Sequence, residues 1–415
     1  MYELLIHCYA ALIRLAAPFS KKAERWANGR KDWTGRLKSF AAAGGPFIWF
    51  HCCSLGEFED GKAVIEAVRK RYPGFKIVLT FSSPSGYEAR KQYEHADEIM
   101  YLPADTRSNA ERFIASLHPA LAVFVRNDIW KNYLEALKQK EIPVMLLSFQ
   151  MGRDSNFIKW PQSRLYKKAF GLFDELLVQD HKTAALMTEK LGITKAIVTG
   201  NMRINNICEA SGKDVFLPEI EKFIGNNFCV IAGSTLKRDE SLFLETYGSM
   251  PFQGIRWIIV PHEIDEQAIT SACRKSKRMI RYSEIEKLSE AHDLLWIDNV
   301  GMLPTLYRYA QIAFVGGGFN RIGVHNILEP AAYGCPVALG PRHRNYPEAL
   351  ELLNRKGIAI IKNMKELKSF ILEYSSDSRL LAGVQEANRR YVFEKRANLE
   401  MVMDKIDAAL KSRTE

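Results

Sequence analysis

Short apolar runs recur along the whole chain, and most are continuous rather than alternating. PFIWFH (46–51), KIVLTF (76–81), EIMYLP (98–103), LAVFV (121–125), PVMLLSF (143–149), ELLVQD (175–180) and AIVTG (196–200) occupy the first half. FCVIAG (228–233), RWIIVP (256–261), DLLWID (293–298), QIAFVG (311–316), PVALG (336–340) and IAIIK (358–362) occupy the second. A strand covered on both faces needs apolar residues at every position, so these runs predict parallel sheets flanked by helices. Two doubly wound α/β domains follow, over 39–204 and 228–375. They are joined through 205–227, where NNICEASGKDVFLPEIEKFIGNN loses the strand rhythm. Residues 376–415 read as helices, one of which can cross back to the first domain.

The first 38 residues have a different pattern. LLIHCYAALIRLAAPF (4–19) is apolar except for His7 and Arg14. At about 100° per residue, Glu3, His7 and Arg14 fall in one narrow stripe, which is the signature of an amphipathic helix. The run is shorter than the ~20 apolar residues that span a bilayer. Residues 14–38 carry Arg14, Lys21, Lys22, Arg25, Arg30, Lys31, Arg36 and Lys38 against only Glu24 and Asp32. An apolar helix with a basic segment suits a helix lying in an anionic membrane face. A first helix packed on its own domain would give the same pattern. No A-x-A cleavage site marks a signal peptide.

Composition narrows the classes. At 415 residues the chain exceeds what one core usually holds. A net charge of +10 calls for an acidic partner: nucleic acid, an anionic membrane or a phosphorylated substrate. No aromatic-rich RNA motif or DNA-reading module is present, which argues against nucleic acid. Seven scattered cysteines, odd in number, argue against a disulfide framework and for a reducing compartment. No CxxC pair, HxxxH spacing, Walker GKS/T or DxD motif occurs, so neither a metal nor another cofactor is expected.

In doubly wound sheets ligands bind beyond the carboxyl ends of the strands. The segments found there are polar: HCCSLGEFEDG, SSPSGYE, RNDIW and GNMRIN in the first half; AGSTLKRDES, VPHEIDE, IDNVGML and GGGFNRIGVHNILEP in the second. Gly316 to Gly318 end a strand just before a new helix, where glycine lets the backbone approach a ligand and helix N–H groups favour anions. The same glycines also suit a tight turn.

These segments, in this order, resemble the Kdo transferases, which move 3-deoxy-D-manno-octulosonic acid (Kdo) from CMP-Kdo onto a lipid A precursor. SLGEFEDGKAVIEAVRKRYP, TFSSPSGYE, YLPADTRSNAERFI, GNMR, AGST, PHEID and GVHNILEPAAYGCPVALGP carry the resemblance across nearly the whole chain. It implies a GT-B glycosyltransferase, with two Rossmann-like doubly wound domains facing an interdomain cleft. It also implies metal-independent inverting transfer at the cytoplasmic face of the bacterial inner membrane. By the same match Glu57 is the general base; Asp128, where the family usually has Glu, and Arg203 stabilise the transition state. CMP is expected against Ser234, Pro261, His262, Val300, Gly301, Met302, Asn326, Ile327, Leu328 and Glu329. Asn299 and Met302 replace polar residues common in the family, so contacts there would run through backbone.

Each residue has a second role open to it. Glu57 can complement a helix N-terminus, Asp128 can cap one, Arg203 can be a surface cation, and Asn326 with Glu329 is spaced as a capping box. Two other functions stay open. A GT-B enzyme using another nucleotide sugar should lack the SLGE and HNILEP combination, and a nonenzymatic basic membrane-binding protein would not need the polar strand ends.

Overall fold

The computed structural model describes residues 2–411 apart from 154, 161, 251–253, 322, 344 and 345. The chain divides into two compact units, Met1–Asn206 with Arg396–Glu415, and Ile207–Lys395.

In the first unit the strands are β1 (Phe47–Cys52), β2 (Lys76–Phe81), β3 (Glu98–Tyr101), β4 (Leu121–Val125), β5 (Val144–Phe149), β6 (Glu175–Val178) and β7 (Ala196–Val198). They form one parallel sheet in the order β3-β2-β1-β4-β5-β6-β7. β1 shows why the runs are continuous. Phe47 and Trp49 enter one buried core with Phe113, Phe124 and Tyr133, while Ile48, Phe50 and Cys52 enter the other with Phe58, Val64 and Leu79.

The second unit repeats the plan with β8 (Phe228–Thr235), β9 (Ile255–Pro261), β10 (Met279–Arg281), β11 (Leu294–Trp296), β12 (Ile312–Val315), β13 (Val337–Leu339) and β14 (Ile358–Ile360), ordered β10-β11-β9-β8-β12-β13-β14. Every strand except β10 coincides with an apolar run. β10 is a three-residue edge strand that follows Arg278 and ends in Arg281, too short to leave a pattern.

Three segments lie outside the two sheets. The segment 205–227, which loses the strand rhythm, carries most of helix Met202–Gly212 and all of Pro218–Ile224. The C-terminal helices divide between the units. Ser378–Glu394 stays with the second, where Asn388 Nδ2 donates to Cys335 O (2.8 Å) and Gly357 O (2.9 Å). Leu399–Lys411 returns to the first, burying Val402, Met403, Ile406 and Leu410 in its core. The return is fixed at Gly200, whose φ is +90° and where a Cβ would lie 2.6 Å from Ala397 Cα, so no side chain fits.

The third concerns residues 1–38, which belong to the first unit as helices α1 (Tyr2–Ala16), α2 (Lys21–Asn28) and the start of α3 (Trp33–Ala42). The polar stripe of α1 does not face water throughout, because Glu3 accepts from Arg107 N (3.0 Å) and Asn132 Nδ2 (3.0 Å). The outward face is apolar: Leu4, Leu5, Leu12, Leu15 and Phe19 are 61–91% exposed. Two of the basic residues also point inward. Arg30 donates to Leu102 O and Ser82 O at 2.8 Å, and Arg36 donates to Ile99 O and pairs with Glu98.

Candidate active site

Strand order reverses between β1 and β4, and at such a switch point the two following loops diverge to leave a crevice. Glu57 follows β1 and Asp128 follows β4. Ser54 is the N-cap of α4 (Leu55–Arg71), and Glu57 completes a capping box: Ser54 N donates to Glu57 Oε2 at 3.1 Å, and Ser54 Oγ donates to the same oxygen. Capping and placement at the crevice therefore coincide in one side chain. Both bonds fall on Oε2 and leave Oε1 outside the cap.

Asp128 does not cap a helix. It precedes Trp130, the residue before helix Lys131–Gln139, and its side chain is buried. Among the described residues, its Oδ2 has no hydrogen-bond partner. Burial first, and the neighbouring charge of Glu57 second, raise the Asp128 carboxyl well above the usual carboxylate range; hydrogen bonds from Cys53 oppose the shift.

A buried histidine braces this corner. His51, in β1, is fully enclosed, and burial, then the Arg30 charge, lowers its pKa to about 3. Trp130 Nε1 donates to His51 Nε2 at 3.0 Å, so the ring is neutral with its proton on Nδ1, 2.8 Å from Thr80 Oγ1. Thr80 Oγ1 also accepts from Trp49 Nε1 (2.8 Å) and donates to Phe50 O (3.3 Å). Asp128 Oδ2 lies 3.6 Å from His51 Nε2, in contact with a neutral ring rather than in an ion pair. Sequence reading passed over His51; its only signal was a lone polar residue ending an apolar run.

Arg203 opens helix Met202–Gly212 after β7, its N–H donating to Asn201 Oδ1 at 3.0 Å. One turn on, Asn206 Nδ2 donates to Glu59 O at 2.6 Å, tying this helix to the first turn of α4. Among the described residues, no ion pair joins Arg203 to Glu57 or Asp128.

The second unit reverses its strand order between β8 and β12. Ser234, with φ +52°, lies in the irregular end of β8, and a Cβ on Gly316 would sit 2.3 Å from Ser234 O, so the glycine permits that approach. Asp239 Oδ2 accepts from Gly317 N at 2.8 Å and Leu236 N at 2.9 Å, locking the glycine turn to the start of helix Lys237–Ser249. His262, just past Pro261 at the end of β9, stacks on His325 with centroids 4.4 Å apart; burial, then His262, lowers the His325 pKa. Asn326 Nδ2 donates to Glu329 Oε1 (2.7 Å), and Asn326 Oδ1 accepts from Leu328 N (3.1 Å). This is a side-chain pair beside an Asn turn, not the expected capping box, because the helix starts later, at Leu328.

Comparison with known proteins then decides the relationship. Residues 24–206 match the family described as 3-deoxy-D-manno-octulosonic-acid transferase (kdotransferase). A 3-deoxy-D-manno-octulosonic acid transferase of Chlamydophila psittaci is 27% identical over 80% of this chain and 79% of its own. Another, from Haemophilus influenzae, is 24% identical over 97% of this chain and 96% of its own. The chain is a relative of the Kdo transferases.

Among solved structures, the UDP-GlcNAc 2-epimerase of Neisseria meningitidis bound to UDP-GlcNAc superposes with a TM-score of 0.60 at 13% identity, covering 87% of this chain and 99% of that one. That likeness concerns the fold alone, and it agrees with the GT-B class of two Rossmann-like units. Of the residues the Kdo transferase pattern singles out, Glu57 and Asp128 come together at one switch point, and Ser234 lies at the other. His262 joins the second group through His325. Ile327 and Leu328 turn their side chains into the core, so only their backbone can face a ligand. Val300 is 89% exposed, Gly301 has φ +101°, and Met302 precedes helix Leu303–Leu306 after β11.

Proposed function

We propose that the chain is a glycosyltransferase of lipopolysaccharide biosynthesis that moves Kdo from CMP-Kdo to a lipid A precursor of the lipid IVA type, with inversion and without a metal. The observation that carries this reading is the carboxylate pair at the β1/β4 switch point, set within residues 24–206, which match the Kdo transferase family. An acceptor hydroxyl oxygen attacks the anomeric carbon of Kdo as the bond from that carbon to the phosphate oxygen breaks. The electron pair of that bond leaves with CMP, and the acceptor proton passes to Glu57 Oε1. One displacement inverts the anomeric centre.

The leaving phosphate already activates the donor, so the proton acceptor at the start of α4 need not be a strong base. Asp128, kept neutral by burial and by Glu57, offers an O–H to the developing negative charge rather than a second anion. Arg203 supplies a cation for the CMP phosphate or the Kdo carboxylate. In the second unit the Ser234 and Gly316 turns suit phosphate, His262 and the Val300 to Met302 backbone suit the base, and Glu329 accepts from ribose hydroxyls.

The membrane part of the reading rests on α1. Among the described residues, no helix is long and apolar enough to cross a membrane. An exposed apolar face followed by the outward cations Lys21, Lys22 and Arg25 suits attachment to the anionic cytoplasmic leaflet. The decisive assay incubates the purified chain with CMP-Kdo and a tetra-acylated disaccharide lipid, with and without EDTA, and weighs the lipid. A mass gain of one or more Kdo units in both arms is expected. No gain would remove the reading, and a gain lost with EDTA and restored by a divalent ion would remove the metal-free mechanism.

A further inference from the structure

A cavity of about 350 Å³ opens in the first unit between α1 and α2 on one side and the segments following β1 to β4 on the other. That volume lies within the roughly 300–1,000 Å³ of small-ligand sites. Ile6, Ile13, Trp26 and Trp130 supply apolar walls, and Ser82 and Ser83 add hydroxyls. Neither helix collapses to fill it. α1 is anchored at its start, where Tyr2 and Glu3 bond to Asp105, Arg107 N and Asn132, and Arg30 pins the end of α2 to backbone carbonyls.

We propose that this cavity binds one fatty-acyl chain of the lipid acceptor. The proposal rests on the function argued above. Three observations select the occupant. The cavity is lined by Cys53, the residue before the Ser54 cap of Glu57, so a chain held there brings its headgroup to the base. The helix forming its wall carries Leu4, Leu5, Leu12 and Leu15 exposed on its other side, so one element offers apolar surface both outward and to the cavity. Lys22 lines the cavity, and Lys21 and Arg25 are exposed beside it, a charge complement to the phosphates of an anionic glycolipid headgroup. Arg30 is not part of that complement, because its guanidinium is committed to carbonyls and lies 4.0 Å over Trp26.

The test uses the full chain and 11-(dansylamino)undecanoic acid below its micellar concentration. Saturable fluorescence enhancement is expected, displaced by the tetra-acylated acceptor at least about tenfold more effectively than by dihexanoyl phosphatidylglycerol. Ala23→Trp and Ala104→Phe each grow into the cavity from opposite walls and should weaken probe binding at least about tenfold, whereas Ala23→Ser should not. Near-ultraviolet circular dichroism identifies any variant that misfolds, and one folded filling variant is enough to decide. Unsaturable binding, equal displacement by the phospholipid, or undiminished binding in a folded filling variant overturns the proposal. Probe binding needs no CMP-Kdo, so it is read whether or not Kdo is transferred. In the transfer assay, Ala23→Trp should raise the KM for the tetra-acylated acceptor at least about tenfold more than that for its deacylated headgroup. Equal changes for the two acceptors would sink the acyl site while leaving Kdo transfer standing.

Discussion

Glu57 carries two duties that substitution can separate. Glutamine also completes a capping box, so Glu57→Gln keeps the bonds to Ser54 while removing the base. Turnover should fall at least about a hundredfold with CMP affinity and melting temperature nearly unchanged. Steady-state kinetics beside calorimetry checks this, and near-parental turnover would reassign the base. In the second unit, Glu329→Ala removes an acceptor for ribose hydroxyls, and hydrogen bonds to charged groups contribute about 1.5–3 kcal/mol. CMP affinity by calorimetry should drop roughly tenfold or more; an unchanged value in a folded variant would leave Glu329 a structural role, of which its bond to Asn326 is a part. His51 gives a pH signature. Its folded pKa of about 3 lies below the ordinary value near 6.5, so the native state binds fewer protons than the unfolded chain between them. Its contribution is complete above pH ~6.5 and is lost as pH falls toward 3. Urea midpoints between pH 7 and 5 should therefore fall more steeply in the parent than in His51→Gln, and parallel slopes would mean that His51 is not buried neutral.

At the scale of elements, α1 and α2 are packed on one face and exposed on the other, so packing on their own domain accounts for only one face. The inner face is fixed by Tyr2, Glu3, Ala10 and Trp26, and the outer face is left apolar beside the exposed Lys21, Lys22 and Arg25. Cations near an anionic surface contribute roughly 1 kcal/mol each. Changing Lys21, Lys22 and Arg25 together to Glu should therefore cut co-sedimentation with phosphatidylglycerol vesicles sharply at low salt while sparing CMP affinity. Parental co-sedimentation would move the attachment surface elsewhere. Arg30 and Arg36 play a different part, because replacing them would strip carbonyl partners from the strand ends and destabilise the same element.

The whole molecule is organised by a chain that leaves its first unit at Asn206 and comes back at Arg396. The returning helix is a core element of the first unit, not a tail: Ile406 is fully buried among first-unit residues. Ile406→Ala should destabilise the first unit by about 2–5 kcal/mol. Unfolding followed by hydrogen exchange should show lost protection in the first unit and little change in the second. Equal loss in both would mean that the two units unfold as one.

Sequence alone determined the two doubly wound sheets, because a strand buried on both faces has to be apolar at every position, and this is readable without knowing its neighbours. It also determined which polar segments lie at the strand ends, since parallel strands put all their carboxyl ends on one edge of the sheet. β10 escaped because three edge residues carry no such demand. What only the tertiary structure decided was partnership: that the β1 and β4 loops bring Glu57 beside Asp128, that His51 is neutral and braced by Trp130, that Arg30 faces inward while Lys22 lines a cavity, and that the last helix belongs to the first unit. Pattern along a chain records how much of a residue is buried. The identity of what buries it depends on strand order and chain return, which join residues too far apart in sequence for any local periodicity to register.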